Sequence, residues 1–212
     1  MDVSRQEQAV VEKPGRGPRA RTRRLMLETA TRLMQTGIVP SVTDVAEAAE
    51  VSRATAYRYF PSQAALVHAV VDEALGPILD WSSDAPDARQ RVADLMSRSL
   101  PRIEEFEATF RSALKHALDQ WMQRQAGIET AEPQFTRGHR MALLRHAVEP
   151  LQGEIAPASA ERLAMALSLV FGIESLVVLK DIWGLDGEEA TDVARWAADM
   201  MVRGAMVTTR KE

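Results

Sequence analysis

Between residues 25 and 37 the apolar side chains Met26, Ala30, Leu33 and Met34 recur at the three- and four-residue spacing of a helix face. Leu25 and Leu27 flank that stripe and Gly37 follows it as a stop, so the spacing predicts a first helix over about 20–36. Ser41-Val42-Thr43-Asp44 reads as a variant capping box, in which the Ser41 hydroxyl and the Asp44 carboxylate satisfy free amides at a helix start. Val45, Ala46 and Ala49 then line one face of a second helix of about two turns. A break at Glu50-Val51, an N-cap at Ser52 and a stop at Pro61 set off a third helix, Arg53 to Phe60. Ser62 opens a fourth through Leu66, Val67, Val70, Val71, Leu75 and Ile78 towards Trp81, with Gly76-Pro77 expected to kink or break its last turns.

Past the loop-like run Ser82 to Asp87, helical periodicity returns at about 87–100, 102–123, 138–151, 159–182 and 187–207. Pro101, the Gly127–Pro133 segment, Gly153–Pro157 and Gly184–Gly187 separate these patterns. No strand alternation and no internal repeat stands out, so the fold class is all-α. The most apolar run, Leu163 to Leu179, is interrupted by Ser168, Gly172, Glu174 and Ser175. It falls short of the roughly 20 apolar residues of a membrane span and reads as a buried helix.

Composition narrows the compartment and the chemistry. The 212 residues are 46% apolar and contain no cysteine, which removes thiolate nucleophiles, cysteine-based zinc sites and disulfide frameworks. A polar start without an apolar run of signal-peptide length makes a cytoplasmic location the expectation, with no membrane partner. Charge is divided: residues 1–60 hold ten basic and seven acidic side chains, whereas the rest of the chain is net acidic. Lys13, Arg16, Arg19, Arg21, Arg23 and Arg24 follow one another with no acid among them, the footprint of a phosphate-binding arm or of a solvated tail. Residues 1–18, with Pro14, Gly15, Gly17 and Pro18, are expected to be that flexible arm.

The second and third helices, joined by a short turn, fit a helix-turn-helix, in which one short helix braces another so that its outer face enters the major groove. Val45, Ala46, Ala49, Val51, Ala56 and Phe60 supply the inward faces, leaving Arg53, Ala54, Thr55, Tyr57 and Arg58 outward on the third helix. The run from Ser41 to Ser62, above all its Val-Ser…Thr-x-Tyr-x-Tyr-Phe-Pro-Ser core, resembles the DNA-binding signature of TetR-type transcriptional regulators. The resemblance implies a three-helix DNA-binding domain over 19–65 and a C-terminal helical bundle for ligand binding and dimerisation over 66–212. It implies that Arg53 and Thr55 reach base edges or nearby phosphates, that Tyr57 donates to a phosphate, and that Thr43 anchors the backbone. Ser52, Ala54, Arg58, Gln63, Arg21 and Arg24 complete the expected interface. Two departures stand out: Glu50 replaces the usual turn glycine, and Gln63 replaces a lysine that touches a phosphate. The first calls for a left-handed residue with a Cβ or for a rearranged turn. The second removes one cation, about one unit of salt slope.

Further along, Leu167, Phe171, Val193, Trp196 and Met200 lie on long apolar faces that, by the resemblance, pair with their copies in a homodimer. Phe106, Phe110, Trp121, Met122, Phe135, Met141, Leu144, Met165 and Trp183, with His139, are candidates for the lining of an effector pocket, although each also suits ordinary core packing. His139 and His146 are seven apart, not a close metal-ligand spacing, and no metal or cofactor is expected. With no phosphate loop, nucleophile elbow or HExxH, catalysis has no anchor. The reading is a repressor that binds a palindromic DNA operator as a homodimer and is released by a small, largely apolar effector. Its rivals are a helical interaction module without sequence-specific DNA reading, motivated by Glu50 and Gln63, and an all-α enzyme using His116, His139 and Glu174.

Overall fold

The computed structural model describes residues 17–129, 133–135 and 138–209; nearly all of the expected basic arm lies outside them. The described residues form ten α-helices and no strand. The first four are α1 (Pro18–Gln35), α2 (Val42–Ala48), α3 (Arg53–Tyr59) and α4 (Gln63–Leu75). Each short one is fixed by local chemistry. At α2 the Asp44 amide donates to Ser41 Oγ at 3.1 Å and the Ser41 amide donates to the Asp44 carboxylate at 2.8 Å, so both halves of the capping box form. These hydrogen bonds hold the Asp44 carboxyl below its ordinary range. Ser52 caps α3 through the Thr55 amide, and Ser62 caps α4 through the Ala65 amide. Gly76, at φ 47, ends α4, and a 3-10 turn over Gly76–Ile78 carries the chain away, earlier than the apolar pattern towards Trp81 suggested.

The body comprises α5 (Ala88–Glu105), α6 (Glu107–Gln125), α7 (His139–Val148), α8 (Pro157–Leu167), α9 (Ile173–Leu176, continuing as a π-helix over Val177–Ile182) and α10 (Gly187–Thr209). Two expectations are corrected here. Pro101 does not divide the chain: α5 runs through it to Glu105, and the break falls at Phe106. Proline removes only one amide donor from the ladder. Leu100 and Ile103 are buried on either side of it, and Arg102 donates to the Leu75 and Glu73 carbonyls, so packing outweighs that loss. Conversely, 159–182 is not one buried helix. α8 ends at Leu167, and Gly172, at φ 130, ψ −176, stands at the start of α9. The 3-10 turn Glu149–Leu151 likewise finishes the helix expected over 138–151.

One hydrophobic core runs from Met26 in α1 to Val202 in α10. Helix α1 packs on α2, α4 and α6, and α4 packs on α5 and α6, so α1 and α4 join the small N-terminal head to the body. The buried Ser112 hydroxyl on α6 donates to the Met34 carbonyl near the end of α1, tying the two further. The π-helix is strapped to α6 by ion pairs: Lys180 with Glu107 at 2.6 Å, and Arg111 with Glu107 and Asp181, both at 2.7 Å. Burial pushes the Glu107 carboxyl up, but Lys180 and Arg111 together hold it below its ordinary range. No helix among the described residues is long and apolar enough to cross a membrane.

Candidate nucleic-acid interface and pocket

The turn between α2 and α3 closes by a hydrogen bond from the Val51 amide to the Ala46 carbonyl, at 2.8 Å. Glu50 takes φ 55, the left-handed conformation, so the turn keeps its shape with a side chain where a glycine would be free of strain. Val45, Ala46, Ala49, Ala56 and Phe60 are buried and Val51 is half-buried, which seats α3 firmly against α2. Its free face presents Arg53, Ala54, Tyr57 and Arg58, all exposed, with Thr55 half-exposed beside them. Ser52 Oγ donates to Thr55 Oγ1 at 2.9 Å, and the Tyr57 hydroxyl lies 3.4 Å from Thr43 Oγ1. Thus Thr43 on α2 and Tyr57 on α3 present their hydroxyls together across the turn. Arg21 and Arg24 are exposed on α1.

Gln63 is placed differently from a cation reaching outward. Its side-chain amide donates to the Val39 and Pro40 carbonyls, at 3.3 and 3.2 Å, and so pins the loop before α2 to the start of α4. Replacing Glu50 by glycine is expected to raise stability by about 1 kcal/mol, the size of the left-handed penalty, and to remove a carboxylate beside the α3 face. Urea unfolding checks it: the midpoint rises at unchanged slope, and a fall in the midpoint would contradict the strain.

In the body, α4, α5, α6, α7 and the turn into α9 surround a mostly apolar cavity with about 640 Å³ of empty space, including its open mouth. Val71 and Leu75, Ile103, Phe110 and Ala113, Phe135, Leu143, and Phe171 with Ile173 form its walls, and His68, His139 and Arg140 are its polar lining. Of the seven site residues expected there, Phe110 and His139 line it. The others are corrected. Phe106 is half-buried beneath the Arg102 guanidinium, 4.8 Å from its ring centre, while Trp121, Met122, Met165 and Trp183 are more than half exposed on outer faces. Leu144 is core, Met141 is exposed and Phe135 does reach the cavity. Helical periodicity identifies an apolar face without saying which neighbour covers it, which is why these positions were misplaced.

The polar lining is organised by ion pairs. Arg140 reaches both oxygens of Glu174 at 2.8 Å and the Ser168 carbonyl at 3.2 Å. His139 Nε2 lies 2.8 Å from Asp72 Oδ1, which pushes the imidazole above its ordinary range, whereas burial pushes His68 below it. His146 is elsewhere, packed edge-on to Trp81 and 3.0 Å from Glu149. The sequence does not assign His68, Arg140 or Ile173 to this wall and places Phe171 on a dimer face instead, because only the packing of distant helices brings them together.

On the outside of the body, Val193, Trp196 and Met200 are exposed along α10, and Met165 in α8 and Leu169 just after it are exposed as well. Leu167 and Phe171 do not join them: both are buried in the chain's own core, Leu167 completely, so the surface face is narrower than their spacing suggested.

Residues 27–70 match the family model described as bacterial regulatory proteins, tetR family. No curated relative matches the chain in sequence. Among solved structures, a protein from Rhodococcus sp. assigned to the TetR-family transcriptional regulators is similar over 86% of this chain and 99% of its own, with a TM-score of 0.60 and 19% identity. A tetR-family transcriptional regulator from Streptomyces coelicolor is similar over 88% of this chain and 89% of its own, at TM-score 0.52 and 18% identity. A Clostridium perfringens protein assigned as a fatty acid metabolism regulator is similar over 82% and 97%, at TM-score 0.53 and 14% identity. At these identities the likenesses concern the fold.

Proposed function

We propose that this chain, which carries the N-terminal domain of the tetR family of bacterial regulatory proteins, is a homodimeric repressor that grips a palindromic operator and releases it when a small, largely apolar molecule enters the body. The observation that carries the reading is the free face of α3: Arg53, Ala54, Thr55, Tyr57 and Arg58 stand outward on a helix that α2 braces from behind. The major groove admits such a helix, and two copies related by a two-fold axis would read half-sites about 34 Å apart. Arg53 is suited to a bidentate guanine contact. Tyr57 and Thr43 are suited to phosphate oxygens, which fix register without reading sequence.

The cavity supports the effector half of the reading. Its walls are apolar, and α4, the helix that leaves the head, forms one of them through Val71 and Leu75. A molecule that prefers one placement of α4 shifts the spacing of the two heads by population. A hundredfold loss of operator affinity requires about 2.7 kcal/mol of preference for the spacing that does not fit DNA.

The test is binding to genomic fragments that include the region around its own gene, at two salt concentrations, for the wild type and for Arg53→Ala combined with Tyr57→Phe. Tight, fragment-selective binding is expected, weakened about a hundredfold per half-site in the double variant if the base contact and the phosphate contact contribute roughly 2 and 1 kcal/mol. Weak binding of equal strength to every fragment, unchanged in the variant, would favour the interaction module and sink operator reading.

A further inference from the structure

We infer that His68, Asp72 and His139 form a binding site for one divalent cation of the zinc class, set in the wall of the cavity where α4 faces the start of α7. His68 and Asp72 are four residues apart on α4, so they stand one above the other on the same face. His139 is the first residue of α7, and its ring lies edge-on to that of His68 with centroids 6.5 Å apart. One ligand atom from each side chain, two imidazole nitrogens and one carboxylate oxygen, lies within 4.8 Å of the other two. Ligands at about 2.0–2.2 Å from a tetrahedral zinc stand about 3.3 Å from one another. Side-chain swings of roughly an ångström, which open the Asp72–His139 pair from 2.8 Å and draw in the wider separations, therefore fit the three around one ion.

A second observation points the same way. Asp72 Oδ1 and His139 Nε2 are 2.8 Å apart and both atoms are shielded from solvent, yet no hydrogen bond of acceptable geometry joins them. Buried polar atoms normally find a partner. Here the carboxylate oxygen and the imidazole nitrogen stand side by side without one. Two imidazoles and one carboxylate form a borderline donor set, suited to zinc, nickel or cobalt rather than to magnesium or calcium, which prefer oxygen ligands throughout. Three protein ligands leave at least one coordination position. His68 and His139 line the cavity, so that position opens towards the apolar space and is available to water or to the polar end of a bound molecule. A cation held there also ties α4 to α7. The site concerns the body alone and stands whether or not α3 reads an operator.

The experiment uses the untagged full-length protein, stripped with a chelator and titrated with Zn²⁺ by calorimetry and with Co²⁺ by visible absorption. One ion per chain is expected, with the ligand-field bands of four- or five-coordinate cobalt. Asp72→Asn and His139→Ala are each expected to weaken binding at least a hundredfold, since even outer-shell partners of such sites change affinity ten- to a hundredfold. His146→Ala, beside Trp81, leaves it unchanged. Circular dichroism establishes that each variant is folded, and His68→Gln replaces any that is not. Failure of the wild type to hold zinc, leaving an ion pair alone, would overturn the site, as would binding that is lost with His146 and kept without His139.

Discussion

Replacing Trp196 by glutamate is expected, on the proposed reading as a homodimeric repressor, to give a monomer and to lower operator affinity by a factor of about a hundred to a thousand. Trp196 is 64% exposed in the middle of α10, and Val193 and Met200, one turn away on the same helix, are exposed apolar side chains too. Soluble monomers rarely leave large contiguous apolar patches uncovered, and a second copy related by a two-fold axis would cover this one. A glutamate at its centre would bury an unpaired carboxylate, which costs several kcal/mol. The loss at the DNA follows from geometry rather than from any change in α3, because two linked heads bind far more tightly than one, by about 10² to 10⁴. Light scattering should give one chain mass, 23.5 kDa, instead of two. Since the side chain is exposed within the chain, the urea midpoint extrapolated to low protein concentration should barely move. A variant that stays dimeric, or a monomer that keeps full affinity, would place the interface elsewhere. Leu167→Glu would not serve, because Leu167 is completely buried in the chain's own core.

How far sequence reached differs between the two ends of the molecule, and the difference has a physical origin. In the head, structure is set locally. Ser41 with Asp44, Ser52 and Ser62 each cap the helix that follows them within three residues, so the elements could be placed from adjacent letters. The strain expected at Glu50 is likewise a property of one residue, and it is present as φ 55. In the body, the ends of helices depend on partners far along the chain. Pro101 stays within α5 because Arg102 bonds to carbonyls 27 and 29 residues away. The run 159–182 splits between Leu167 and Ile173, where Gly172 lies against the Arg140 side chain. The cavity is the least legible part: an apolar residue at helical spacing belongs equally to a core, a pocket or an outer surface, and Leu144, Phe110 and Trp121 occupy those three places in turn. The sequence offers His139 as a pocket residue and weighs it as a metal partner only against His146 on its own helix, whereas its neighbours in space come from α4.

Gly172 is where the second large effect is expected. Its φ of 130 with ψ of −176 lies in a region that is essentially reserved for glycine, so any side chain there is strained by roughly 1–3 kcal/mol. The space is also occupied: an added Cβ would lie 3.0 Å from Glu174 Oε2 and 3.2 Å from the Arg140 guanidinium carbon. Those two groups form a paired unit that is largely sheltered, with both oxygens of Glu174 held at 2.8 Å, and Arg140 lines the cavity. Gly172→Ala therefore strains the backbone and pushes the pair apart in the same step. A total loss of about 3 kcal/mol is expected, which for a chain of this size lowers the thermal midpoint by roughly 6–12 °C. Gly153→Ala provides the comparison, because Gly153 sits at φ 93 with open space where its Cβ would be. It carries the backbone cost without the crowding, so the smaller drop expected for it isolates what the Arg140–Glu174 pair contributes. Equal drops in the two variants would mean that the pair simply gives way, and that the turn into α9 depends on the glycine backbone alone.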